Sequence, residues 1–403
     1  MTMPTAVSQP TEAKKASSSR TRVLWATCAA HALHDGYGDM IYALLPIWQA
    51  EFQLGYASLA LVRGVYTGTM AVFQLSAGRL ASWIGSRATL ALGTLLAALG
   101  YAAAGLSGGL LGLCVALALS GSGSSTQHPL ASGALSRAYG RNARGPLGIY
   151  NFAGDLGKAA LPAAISLLAT MMPWRHALWA MSIVGGIVAA GLALWLPSTP
   201  RDPAIEDVEG ADEKNPSATG FRLLLAIGVL DSAVRMGLLT FLPFLLKGKG
   251  ISTSMLGTAL AMVFIGGAAG KFICGWLGQR MGVIGTVLAT ECGTAVCILS
   301  VMLCPLVPAL VLLPLLGALM NGTSSVLYGT VPELAPGGND ERAFALFYTG
   351  TIGSSAISPV VYGLLGDRVG IQWATCATAL TAIAVVPLAL ALRARLTLTD
   401  QAV

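Results

Sequence analysis

The sequence predicts an all-α integral membrane protein, with twelve transmembrane helices in two six-helix halves around a central cavity. Three observations predict it. The 403 residues are 55% hydrophobic and only 10% charged, where a soluble chain carries about 25% charge. Twelve apolar runs approach or exceed the ~20 residues that a helix needs to cross a bilayer. Features of the first half also return in the second at one fixed offset.

The elements follow in order. Residues 1–22 are polar, Ser/Thr-rich and carry Lys14, Lys15, Arg20 and Arg22. They read as a disordered cytoplasmic tail with no cleavable signal sequence. The first half, 23–196, divides at short Gly- and Pro-containing loops into spans 23–47, 56–81, 88–106, 110–136, 146–170 and 174–196. Residues 197–220, PSTPRDPAIEDVEGADEKNPSATG, hold six of the chain's 18 acids and four prolines. A segment so poor in large apolar side chains cannot bury a core, so it is expected to be a solvated linker. The second half, 221–394, gives spans 221–246, 254–278, 283–304, 308–333, 343–365 and 372–393, and residues 395–403 form a C-terminal tail. The seven cysteines are scattered through apolar runs without CxxC spacing, which argues for packing and against disulfides or a metal site.

Lysine and arginine set the expected orientation. With both termini inside, sixteen of the 24 basic residues fall in inner loops and tails, and four fall outside: Arg175, Lys247, Lys249 and Arg368. Termini and linker are therefore expected to be cytoplasmic, in the inner membrane of a bacterium. The net charge of +6 is a topology signal, and nucleic acid is not an expected partner. Lipid, protons and a small-molecule substrate are, with the chain acting as a monomer and needing no cofactor beyond a proton gradient.

The halves repeat. Leu45-Pro46, at the expected end of span one, returns as Leu242-Pro243, 197 residues on, and Pro162 returns as Pro359. GRLASWIGSR from Gly78 returns at the same offset as GWLGQRMGVI from Gly275. A repeat of six-helix halves is the mark of a secondary transporter whose site lies between them.

These features resemble the major facilitator superfamily: twelve spans, a central loop, and a Gly-x-Leu-x-x-x-x-Gly signature after span two. Gly78, Gly85 and Arg87, then Gly275, Arg280 and Gly282, carry that signature in the two halves. Its usual acid is missing, with Ser82 and Gln279 in its place, which removes a charge from the cytoplasmic latch that the resemblance implies. HALHDG followed by LLP, GSGSSTQHPLASGALSR and IYNFAGDLGKAALP resemble the fosmidomycin-resistance group of efflux proteins. That resemblance implies export of a phosphonate-like drug.

Ionisable residues inside a membrane are costly and mark function by default. His31, Asp35 and Asp39 follow i, i+4, i+8 spacing and share one face of the first helix. Asp35, near mid-span, is the expected proton-coupling group with His31, and the alternative is a structural ion pair. His128 precedes Pro129 in a Ser/Thr-rich run; its imidazole titrates near neutrality, and the alternative is packing at a helix kink. His34 points about 100° away from Asp35, toward neighbouring helices. Asp39 and Arg63 lie at matched depth and are expected to pair as an outer gate or a structural bridge. Asn151, Asp155 and Lys158 in span five, and Asp231 and Arg235 in span seven, have helical spacing that permits pairing. With His34 they are the substrate-binding candidates. Lys271 reads as lying near the cytoplasmic end, serving the loop signature, and Glu291 in span nine has no assigned role.

No nucleophile–base motif or metal triad supports an enzyme. The expected function is proton-coupled antiport that exports a small polar or anionic compound by alternating access. A symporter importing a small organic anion with the same carboxylate is the other reading.

Overall fold

The computed structural model describes residues 10–197, 218–336 and 340–400, and among them it forms twelve α-helices and no strand. Spans one to three are Pro10–Phe52, Tyr56–Ile84 and Ser86–Ala104. Span four is two helices, Leu110–Ser124 and Gln127–Tyr139, and spans five and six are Arg144–Met171 and Trp174–Trp195. Span seven is Ala218–Gly248, and spans eight and nine run as Thr253–Leu303 through a kink at Gly282. Spans ten to twelve are Leu306–Thr330, Asp340–Val369 and Ile371–Asp400. Twelve spans result. Among the described residues eight helices are long and apolar enough by themselves to cross a membrane. Spans one, two and four fall outside that set, span four because it is broken into helices of 15 and 13 residues.

Several expectations change. The N-terminal tail is helical from Pro10 onward, because no helix breaker separates it from span one, and a proline suits the first turn. The C-terminal tail likewise continues the helix of span twelve to Asp400. Most of the 197–220 linker lies outside the described residues. Pro46 and Pro243 do not end their spans but sit inside the helices. Packed neighbours take up the backbone that an interior proline releases, and Leu45 and Leu242 beside them are fully buried.

The repeat is visible in the backbone. Gly85 turns between spans two and three at φ +87°, and Gly282, its counterpart 197 residues on, turns between spans eight and nine at φ +71°. Only glycine adopts that conformation without strain. Gly78 and Gly275 have open space where a Cβ would stand. Arg280 lies over the Trp276 ring at 4.2 Å.

The halves meet along spans two and eleven, along spans five and eight, and more lightly along one and seven. Call the side where Pro197 and Ala218 lie the linker face and the other the far face. Toward the far face one apolar core joins both halves, with Tyr42, Trp48 and Leu59 packed in the same cluster as Phe241, Leu242 and Phe244. Toward the linker face the core divides in two. Leu90, Leu135 and Tyr150 pack within the first half, and Leu224, Leu327 and Phe347 within the second. The molecule is shut on the far face and parted on the linker face.

Candidate functional site

Glycines bring spans one and five into backbone contact. A Cβ at Gly157 would run into the Ala32 carbonyl, and one at Gly36 would lie 2.7 Å from the Gly157 carbonyl. Small residues permit such approach between membrane helices. Gly154 then leaves room for a charged group, since a Cβ there would sit 2.7 Å from the His31 ring and 2.9 Å from an Asp35 oxygen.

His31 and Asp35 touch in that space, Nε2 to Oδ2 at 3.2 Å. Nδ1 of His31 lies 2.8 Å from the Tyr150 carbonyl, and the ring stacks on the Tyr150 ring with centroids 4.0 Å apart. A carbonyl can only accept, so Nδ1 carries a hydrogen. Nε2 and the carboxylate are both acceptors unless a further proton is present. The 3.2 Å contact therefore calls for one, on the ring or on Asp35. His128 Nε2 approaches the other Asp35 oxygen at 3.6 Å, and Lys158 Nζ stands 3.2 Å from Oδ2.

The charges continue into the second half. Lys158 also reaches Asp155 Oδ1 at 3.9 Å. Asp155 accepts two hydrogen bonds from Lys271 of span eight, at 2.6 and 2.8 Å. Lys271 is thus not an accessory of the loop signature. It stands in the wall of the cavity and ties the halves together. The sequence hid this because the partners are 116 residues apart and belong to different halves.

Asp39 and Arg63 pair at 3.7 Å. Arg63 also lies between the rings of Tyr42 and Tyr66, 5.2 and 5.4 Å from their centroids, and donates to Thr67. His34 places its nitrogens 3.0 Å from Ser124 Oγ and 2.9 Å from Thr94 Oγ1. It ties spans one, three and four together at the cavity wall. Asn151 is exposed and lies outside the cavity lining.

Asp231 and Arg235 share helical spacing but form no ion pair within 4.0 Å among the described residues. Arg235 turns to the cavity, while the Asp231 carboxyl is buried against Glu291 of span nine. Glu291, unassigned from sequence, has its partner there.

Arg63, Lys158, Arg235 and Lys271 all line one cavity of about 210 Å³ between the halves, with Asp35, Asp39 and Asp155 among them. Donor atoms of His31, Asp35 and His128 lie within 4.8 Å of one another, close enough to hold a metal ion. The Lys158 ammonium already supplies positive charge beside Asp35.

A family model for the Major Facilitator Superfamily matches residues 27–230 and 224–400. The chain belongs to this superfamily. Its fold is the superfamily's: a bacterial homolog of the human lysosomal transporter Spinster, in an inward-facing and occupied conformation, superposes with TM-score 0.75 at 16% identity, covering 95% of this chain and 97% of that one. A variant of the nucleoside transporter NupG superposes with TM-score 0.75 at 13% identity, over 93% and 99%. In sequence, the fosmidomycin resistance protein of Escherichia coli (strain K12) is 22% identical over 383 residues, 90% of this chain and 92% of that one. The superfamily explains why charges collect where the halves meet. That is where its two repeats enclose a site.

Proposed function

We propose that this chain is a proton-coupled secondary transporter that exports a small polar or anionic compound by antiport, with its termini and linker in the cytoplasm of a bacterial cell. The observation that carries the reading is the His31–Asp35 contact, which calls for a proton and touches Lys158 inside the cavity. Four cationic side chains from both halves face the same space, which suits an anion. A volume of about 210 Å³ is below the roughly 300–1,000 Å³ of drug-sized pockets and suits a small one. Export is supported by the relative that bears a resistance name, since a transporter confers resistance most simply by removing the compound.

Coupling runs through Lys158. An ionised Asp35 holds the ammonium. A proton on Asp35 releases it toward Asp155, where it competes with Lys271 for one carboxylate. Proton loading thereby loosens a tie between the halves. With the linker face cytoplasmic, the parted side is open to the cytoplasm.

The 3.2 Å contact of Lys158 with Asp35 is also compatible with the second reading, import by symport. An anion that draws Lys158 away leaves Asp35 free to take a proton, so the two loads would travel together. Purified protein in liposomes under an imposed pH gradient separates the two readings by the direction of accumulation of small phosphonates and organic anions. Asp35→Asn is expected to abolish uphill transport in either direction while leaving counterflow exchange. Uphill transport by that variant would overturn the proton assignment.

A further inference from the structure

Glu291 stands behind the cavity wall. It is 2% exposed and Asp231 is 5% exposed. Their carboxyl groups lie within hydrogen-bonding reach of one another, and the Thr323 hydroxyl of span ten lies beside Glu291. Thr323 in turn donates to Thr290 at 2.8 Å. Among the described residues Glu291 Oε2 has no hydrogen-bond partner, and neither has the buried Nε of Arg235. Arg235, one turn along span seven, is the charged neighbour of both acids.

Two carboxylates are both pure acceptors and can hydrogen-bond only through a proton. Like charges this close, with water excluded, cannot both remain ionised.

We propose that Asp231 and Glu291 hold one proton between them, forming a second proton site in the second half that Arg235 links to the cavity. It is separate from His31 and Asp35, which lie in the first half. The pair carries one negative charge, held by Arg235. An anion that engages Arg235 from the cavity weakens that hold, and the pair takes up a second proton to become two neutral carboxylic acids. No bond other than O–H forms, and the proton comes from cavity water.

Infrared difference spectroscopy of the full-length protein tests this without knowledge of the substrate. At neutral pH, with Asp35→Asn as the common background so that the first-half site adds no carboxyl band, a protonated-carboxyl C=O stretch is expected, shifted by exchange into heavy water. Glu291→Gln replaces the bridging proton with an amide donor, keeps the contact and should remove that band. Asp231→Asn should remove it equally, leaving Glu291 ionised beside Arg235. Each variant is first shown to be folded by its gel-filtration profile, and either one suffices. A band that survives in a folded variant, or no such band in the Asp35→Asn background at neutral pH, overturns the proposal. Thermal stability gives a second readout. The wild type should lose stability as pH rises far enough to strip the shared proton, while Glu291→Gln should not show that loss, because its bridging hydrogen does not titrate. Identical alkaline profiles for the two would also overturn it.

Discussion

His31 is a residue whose tautomer is dictated by a neighbour's backbone. The Tyr150 carbonyl fixes a hydrogen on Nδ1, and Nε2 is left facing Asp35. His31→Gln is therefore expected to fold and to keep substrate exchange. Gradient-driven transport should fall nearly as far as in Asp35→Asn, because Lys158 and His128 then hold the carboxylate without the ring that touches its Oδ2. Proteoliposome flux with and without a pH gradient measures both, and full gradient-driven flux would show that Asp35 does not need His31. Gly154→Ala should give the same coupling defect although it removes no chemical group, because its Cβ would press on His31 and Asp35. Overpacking of this kind costs about 1–3 kcal/mol, which thermal unfolding in detergent will register. The acids and histidines of this site were legible in the sequence, because charge inside an apolar run stands out. Tyr150 and Gly154 were not. One acts through a backbone carbonyl and the other through a missing side chain, and neither leaves a mark in periodicity or charge.

Among the elements, span two shows what depth matching can and cannot predict. Equal depth along antiparallel helices correctly suggested that Asp39 and Arg63 approach each other, and they lie 3.7 Å apart. The rings of Tyr42 and Tyr66 on either side of Arg63 were beyond that argument, because aromatic residues are ordinary in membrane spans. They make the guanidinium more than a counter-ion, since cation–π contacts add about 0.5–2 kcal/mol, more when desolvated. Exchanging the two charges, Asp39→Arg with Arg63→Asp, is thus expected to restore membrane insertion but only part of the activity. Arg63→Lys should lose activity with its charge intact, because an ammonium lacks the planar fork that fits between two rings. Transport by purified variants at matched expression decides it, and full recovery in the exchanged pair would reduce the site to charge balance. Lys271 and Glu291 were misread or unread for the same reason. Depth along one helix says nothing about which helix of the other half, or which neighbour behind the cavity wall, will face it.

At the scale of the whole molecule, the twelve spans, the two halves and their 197-residue repeat were plain in the sequence, because bilayer thickness and gene-scale duplication both leave regular spacing. The state of the molecule was not, because the spacing of apolar and charged residues is the same whichever face is closed. In this state the far face is closed by a joint core and by a contact between the halves at Asp367. Span two begins after Gly55, which offers no side chain to cap its first N–H groups. Asp367, at the end of span eleven in the other half, does so instead, accepting from the amides of Tyr56 at 2.6 Å and Ala57 at 3.0 Å. Gly55 leaves the room, since a Cβ there would stand 2.9 Å from both carboxylate oxygens. Span eight, at the corresponding place in the second repeat, caps itself with Ser252. The closed far face therefore carries a capping interaction that exists only while the halves meet there, and opening that face must break it. Losing a helix cap costs about 1 kcal/mol, and a two-state equilibrium shifts about fivefold for that energy. Asp367→Ala should move the population by about that factor toward the state open on the far face. Spin labels at Gln53 and Gln372, both exposed, in a cysteine-free background, report the separation of the halves directly. A distance distribution unchanged by Asp367→Ala would mean that the joint core alone, with Trp48, Leu59 and Phe241 at its centre, keeps the far face shut.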